Sequence, residues 1–181
     1  VLKTCVTGGS YMDRNEIFKR INQIKNSIKD ARTLPNIYLV HGDMSNEEIN
    51  ELYTHKKIKA MISLTKGEGF GRPLLEFSLT KKPIITTNWS GHTDFLSPEF
   101  TTLLPGGLHN LDDSSVVKDM LMKEYQWFAV DPQSAYTTFR DMFANYKDYK
   151  EKSNRQAFIS KSKFGFNKMV EQIEEYLKNY F

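Results

Sequence analysis

The sequence predicts an α/β fold: a Rossmann-like parallel sheet with helices on both faces. Three observations predict it. Short apolar runs alternate with segments whose apolar residues recur at helical spacing. The connections between them are short and rich in Gly, Asn, Asp and Ser. Helix starts are marked by residue pairs that can cap them, Asp13 with Glu16 and Ser45 with Glu48. Strand–helix alternation with short loops is the pattern of a parallel sheet covered on two sides.

Taken in order, residues 2–7 read as a first strand and Gly8-Gly9-Ser10 as a turn. A helix follows from Asp13, with Ile17, Ile21, Ile24 and Ile28 as its buried stripe. Pro35-Asn36 closes that unit, and residues 37–40 form a second strand. The next helix starts at Ser45 and buries Ile49, Leu52 and Tyr53. A third strand is placed at 58–64, a third helix at 72–79 and a fourth strand at 83–87. Residues 88–92 then form a turn, residues 101–104 a short fifth strand, and Pro105-Gly-Gly107 another turn. Residues 108–127 read as a loop containing one helix. Asp131-Pro132 starts a helix whose apolar face is Tyr136, Phe139 and Phe143. The amphipathic tail carries Met169, Val170, Ile173, Tyr176 and Leu177 on one side. Its polar face holds Glu171, Glu174 and Glu175, unsuited to anionic lipid, so it is expected to pack against the domain.

The 181 residues suffice for one domain with a substantial core, and 39% hydrophobic with 13% aromatic residues argues against disorder. A formal net charge of +3 is too small for a nucleic-acid footprint. The densest basic run, Lys56, Lys57 and Lys59, reads as a solvated helix end. Cys5 is the single cysteine, so no internal disulfide forms and a reducing, cytoplasmic location is expected; its strand context makes it a packing residue. No apolar run reaches transmembrane length. The chain opens directly on a strand-like segment, so a piece of something longer is expected.

In such sheets ligands sit beyond the carboxyl ends of the strands. The turns at Gly8, Gly42, Gly67 to Gly71 and Ser90-Gly91 should therefore crowd one edge. The segment Lys66-Gly-Glu-Gly-Phe-Gly-Arg-Pro-Leu-Leu-Glu76 follows a strand and runs into a helix with Pro in its first turn. Its unpaired N–H groups and helix dipole suit an anion such as a diphosphate. Glu68 and Glu76 cannot bind phosphate but can accept hydrogen bonds from hydroxyls on either side of it. Hydroxyls, a diphosphate and more hydroxyls describe a nucleotide sugar.

Three alternating glycines, Gly67, Gly69 and Gly71, exceed the need of one turn and permit close backbone approach. Lys66 and Arg72 read either as surface charges or as electrostatic partners of the diphosphate. His92 reads as a loop residue with a sugar contact as the alternative, and Trp89 as packing with sugar stacking as the alternative. His41, His55 and His109 show no metal-ligand spacing, and there is no Asp-x-Asp pair.

The run Gly67-Glu-Gly-Phe-Gly-Arg-Pro-Leu-Leu-Glu76, then Lys82-Pro-Ile-Ile-Thr-Thr87, then Ser90-Gly-His-Thr-Asp94, resembles the donor-binding half of retaining glycosyltransferases with the GT-B fold, group 1 and family 4-like. The resemblance implies that residues 1–181 form a single C-terminal nucleotide-sugar-binding domain, one half of a GT-B fold. Glu68 would be the catalytic glutamate, contacting hydroxyls of the transferred sugar, and Glu76 would hold the ribose. The backbone of Phe70, Gly71, Arg72, Pro73 and Leu74 would meet the diphosphate, with Gly67, Gly69 and Lys66 beside it. Val40, Gly42 and Met44 lie where the family places the base. Neither cofactor nor metal is implied. The partners implied are a nucleotide-sugar donor, an acceptor hydroxyl on a glycan, lipid or protein, and an N-terminal domain of the same protein.

Two features depart from the family. The strand–helix unit that in the family carries an Arg and a Lys clamping the diphosphate is expected to be absent unless Arg14 or Lys19 substitutes, and Arg72 stands where an apolar residue is usual. Without the acceptor half, these residues alone are expected to transfer nothing. The rival readings are a non-catalytic nucleotide-sugar-binding module and a GT-B-related sugar-nucleotide epimerase.

Overall fold

The computed structural model describes residues 1–4, 10–28, 34–116 and 120–180. They cluster into two compact units, Val1–Glu51 and Leu52–Phe181.

The first unit holds β1 (Leu2–Thr4), α1 (Asp13–Ser27), β2 (Leu39–His41) and most of α2 (Asn46–Thr54). β1 and β2 are parallel, with Leu2 opposite Leu39 and Thr4 opposite His41. The second strand thus begins two residues later than its apolar run. Ile37 and Tyr38 are exposed because β1 offers them no partner; only the Tyr38 carbonyl is used, accepting the Leu2 N–H at 2.8 Å. Residues 5–9, including Cys5 and Gly8, lie outside the described residues.

α1 starts at Asp13, but not through the expected box. The Asp13 carboxylate accepts the N–H of Ser10 at 2.6 Å, and Glu16 pairs with Arg20 at 3.0 Å. Ile17 and Ile21 are half-buried, whereas Ile24 and Ile28 are exposed, Ile28 having already turned extended. α2 is capped as its sequence requires. Ser45 Oγ accepts the Glu48 N–H at 3.2 Å, and the Glu48 carboxylate accepts the Ser45 N–H at 2.7 Å.

The second unit is built on three parallel strands, β3 (Met61–Ser63), β4 (Ile84–Thr87) and β5 (Thr102–Leu104), in that order across the sheet. β4 is central and buried along its length. Its pairing limits its neighbours: Met61 to Ser63 face Ile84 to Thr86, so β3 is shorter than the apolar run from 58 to 64. Successive β4 side chains point to opposite faces. Ile84 joins Leu74, Phe77, Phe95 and Leu96 under α3 (Arg72–Ser78). Ile85 joins Leu104, Ala135 and Met142 under α4 (Pro132–Ala144), with Tyr149 of α5 (Tyr146–Phe164) packed against them. Both faces of the sheet are covered by helices, as the sequence predicts.

α4 begins where Asp131-Pro132 places it, the Asp131 carboxylate accepting the Ser134 N–H at 2.7 Å. Its inward face is Ala135, Phe139 and Met142, positions that recur at helical spacing. Tyr136 and Phe143 point outward instead, Phe143 at 91% exposure. A bulky ring one position off the stripe is turned by about 100° around the helix.

Two expectations fail after β5. Gly106-Gly107 is not a turn but the start of β6 (Gly106–Asn110), which pairs antiparallel with β7 (Gln126–Val130). A Cβ on Gly106 would lie 2.1 Å from the Ala129 carbonyl oxygen, so the glycine serves strand packing. Among the described residues of the stretch read as a loop with a helix, the only helical piece is a 3-10 turn at Asp113–Ser115. The tail is helical, α6 (Phe166–Tyr180), but none of its residues is buried. Met169, Ile173, Tyr176 and Leu177 remain exposed, contrary to the expected packing. Periodicity shows that a helix has an apolar face; it does not show which surface covers it. Among the described residues no helix is long and apolar enough to cross a membrane.

Candidate functional site

Because β3, β4 and β5 are parallel, the segments that follow them emerge at one edge of the sheet. The Gly-rich turn follows β3 and the Ser90 loop follows β4. The Thr65 hydroxyl opens the turn, accepting the Gly67 N–H at 3.3 Å and donating to the Gly67 carbonyl at 2.8 Å. Lys66 is held by β7: its carbonyl accepts the Phe128 N–H at 3.2 Å, and its ammonium lies 3.0 Å from the centre of the Trp127 ring.

Glu68 is fixed through its backbone. Ser90 Oγ accepts the Glu68 N–H at 2.7 Å and donates to the Glu68 carbonyl. The Gly91 N–H donates to the same carbonyl at 3.0 Å. The Glu68 carboxylate itself has no hydrogen-bond or ion-pair partner among the described residues.

The three turn glycines differ. Gly71 has φ +88°, and a Cβ there would sit 3.0 Å from His92 Cβ. Around Gly67 and Gly69 a Cβ would meet nothing within 4 Å, so these two leave open space against the backbone. Gly71 ends the turn and starts α3, its carbonyl accepting the N–H groups of Leu74 at 2.9 Å and Leu75 at 3.1 Å. Pro73 has no N–H. The N–H groups of Gly69, Phe70, Gly71 and Arg72 have no partner among the described residues. α3 spans only seven residues, about two turns, so these amides outweigh any summed helix dipole.

Leu74 is a core side chain whose N–H is already committed. Phe70 is half-exposed and leans on Phe95 and Phe164, with ring centres 5.1 and 6.2 Å away. Arg72 Nε and Glu76 Oε1 form an ion pair at 3.0 Å on the exposed side of α3. Burial, and after it the charge of Glu76, raise the Tyr53 phenol above its usual range. Val40, Gly42 and Met44 belong to the first unit, at and just beyond the end of β2. There the Gly42 carbonyl, at φ +94°, accepts the Lys3 ammonium at 2.9 Å.

His92 is fully buried, which removes it from the surface as a direct sugar contact. Its Nε2 lies 2.7 Å from the Thr87 carbonyl and donates to it, tying the loop to the end of β4; Nδ1 has no partner. Trp89 stacks on Phe128 at 5.8 Å with planes 4° apart, in keeping with packing. The sequence places Ser90 at the ligand edge but does not show its bonds to Glu68, because any small residue before a glycine reads alike there. Trp127 and Phe128 escape a reading of the sequence, since they lie on β7, in a stretch that reads as a loop with a helix up to residue 127. Among the described residues no group of three or more His, Cys, Asp or Glu is arranged to hold a metal ion.

No curated protein matches the chain. Residues 18–107 match the family described as Glycosyl transferases group 1. The matched stretch, just under half of the chain, includes the Gly-rich turn, both carboxylates and the loop after β4. Over residues 18–107 the chain is therefore similar to the group 1 glycosyl transferases.

Proposed function

We propose that this edge of the sheet binds a nucleoside diphosphate sugar, and that the chain belongs to a retaining, metal-independent hexosyltransferase of the GT-B type. The observation that carries the reading is the pairing of an unengaged carboxylate, Glu68, with four unpartnered turn amides on residues 69–72. The amides suit the diphosphate and the carboxylate suits the sugar hydroxyls. Glu76, about one turn into α3, suits the ribose. Cleaving the bond between sugar and diphosphate puts negative charge on the leaving group, and fixed donors aimed at that charge lower the barrier. Lys66 adds a cation at the start of the turn. The sugar passes to an acceptor hydroxyl presented by a second domain of the same protein. No cofactor takes part, and the single cysteine fits a reducing, cytoplasmic setting.

Calorimetry with a panel of nucleoside diphosphates and their sugar conjugates, in the presence and absence of chelator, tests this. Glu76→Ala weakens both ligand types, because ribose is common to them. Glu68→Ala weakens chiefly the conjugate. Each lost charge-assisted hydrogen bond costs about 1.5–3 kcal/mol. Equal losses for both ligands in both variants, or binding abolished by chelator, would overturn the assignment.

A further inference from the structure

We infer that Ser90 is a positioning residue for Glu68: its hydroxyl clips both backbone polar groups of Glu68 and thereby sets where the catalytic carboxylate stands. The inference rests on the donor-site reading above. Ser90 has φ 81° and ψ −170°, a region that residues with a Cβ avoid and glycine enters freely. If the loop needed only this backbone shape, glycine would serve at position 90. What serine adds is the hydroxyl, and the hydroxyl is spent on Glu68, accepting its N–H at 2.7 Å and donating to its carbonyl.

The clip is anchored on both sides. Thr93 holds the Ser90 carbonyl with its N–H at 3.0 Å and its hydroxyl at 2.7 Å, and His92 ties the same loop to the Thr87 carbonyl. On the other side the Gly91 N–H adds a third bond to Glu68. The Glu68 carboxylate has no side-chain partner to aim it. Once the peptide groups flanking its Cα are fixed, the carboxylate is left with a few staggered rotamers. The chain of support runs from the end of β4 through His92 and Thr93 to Ser90, and from Ser90 to Glu68.

The test uses the full chain with UDP, GDP and ADP and their glucose and mannose conjugates, carrying forward the best-binding pair. Ser90→Ala and Ser90→Gly both remove the hydroxyl, and the glycine variant also relieves the backbone. Both should bind the conjugate about tenfold more weakly while holding the free diphosphate within about twofold. Combining Ser90→Ala with Glu68→Gln should cost no more than the weaker of the two single variants, because both act through one carboxylate. Equal weakening of both ligands, no weakening of either, additive losses in the double variant, or loss of folding in both Ser90 variants would overturn the inference. Should Glu68→Gln selectively weaken the conjugate while the Ser90 variants do not, the role of Glu68 stands and that of Ser90 falls. Should Glu68→Gln leave the preference for the conjugate unchanged, the donor-site reading falls and this inference with it.

Discussion

Replacing Gly91 with alanine should uncouple the two loops of the site. An added Cβ would lie 2.1 Å from the Gly69 carbonyl oxygen, 2.7 Å from its carbon and 3.0 Å from the Glu68 oxygen. Non-bonded atoms prefer about 3.5–4.0 Å, so one loop must retreat by on the order of 1 Å. The obstacle is backbone on both sides, with no flexible side chain to give way. That retreat breaks the three hydrogen bonds joining Glu68 to Ser90 and Gly91. At about 0.5–1.5 kcal/mol each, the loss sums to about 1.5–4.5 kcal/mol. For a chain of this size each kcal/mol moves the melting temperature by about 2–4 °C, which gives a drop of about 3–18 °C. Gly69→Ala is the matched control: its Cβ meets nothing within 4 Å, so stability should hold within about 0.5 kcal/mol. Thermal and urea unfolding of both variants measure the difference. A Gly91→Ala protein melting within about 1 °C of the parent would refute the claim that the loops are in forced contact.

Two further predictions concern the scaffold behind the site. Gln156 is buried with all its capacity used: its oxygen accepts from the Ser97 N–H at 2.9 Å and the Thr101 hydroxyl at 3.2 Å, and its amide donates to the Phe95 carbonyl at 2.8 Å and the Ser160 hydroxyl at 3.1 Å. Gln156→Leu strands two backbone groups and should cost about 2–5 kcal/mol in urea unfolding. Tyr149 is pushed up from 10.0 to about 12, first by burial and then by its hydrogen bond to Asp141 at 2.5 Å. The folded state therefore holds the phenolic proton more tightly than the unfolded chain. The stabilisation is complete below pH 10 and is lost as pH rises towards about 12. Tyr149→Phe should flatten the stability profile over that window, as urea midpoints across a pH series will show.

The sequence revealed most where a local rule decides the structure. Ser45 with Glu48 and Asp131 with Pro132 mark helix starts through bonds spanning three residues, and both helices begin where expected. The β-branched run Ile84 to Thr87, set between Pro83 and a turn, reads as a strand and is buried along its length. The Gly-rich turn and the Ser90 loop meet because parallel strands deliver them to one edge. What stayed hidden depends on partners far along the chain. Strand lengths are set by what lies opposite, so β2 and β3 are shorter than their apolar runs. The β6–β7 hairpin joins residues across a long intervening segment, and its Gly-Gly start imitates a turn. With the hairpin unforeseen, the engagement of Lys66 by Trp127 was unforeseen too. His92 reads as polar and loop-borne, yet the close approach of Gly71 seals it in.

The hairpin has a consequence for how the site holds together. Phe128 gives its N–H to Lys66 and its ring to Trp89, while Trp127 covers the Lys66 ammonium. One element outside the parallel sheet thus cross-braces two loops that grow from different strands. Such braced segments fray as a unit, and the stability of the brace sets how often they do. Past Asn110 and Gln126 the two strands stay joined, the Leu111 N–H donating to the Tyr125 carbonyl at 3.3 Å, and Leu111 is itself buried. The rungs at Trp127 and Phe128 act as a splint, so shortening the hairpin to lose them would free both loops at once.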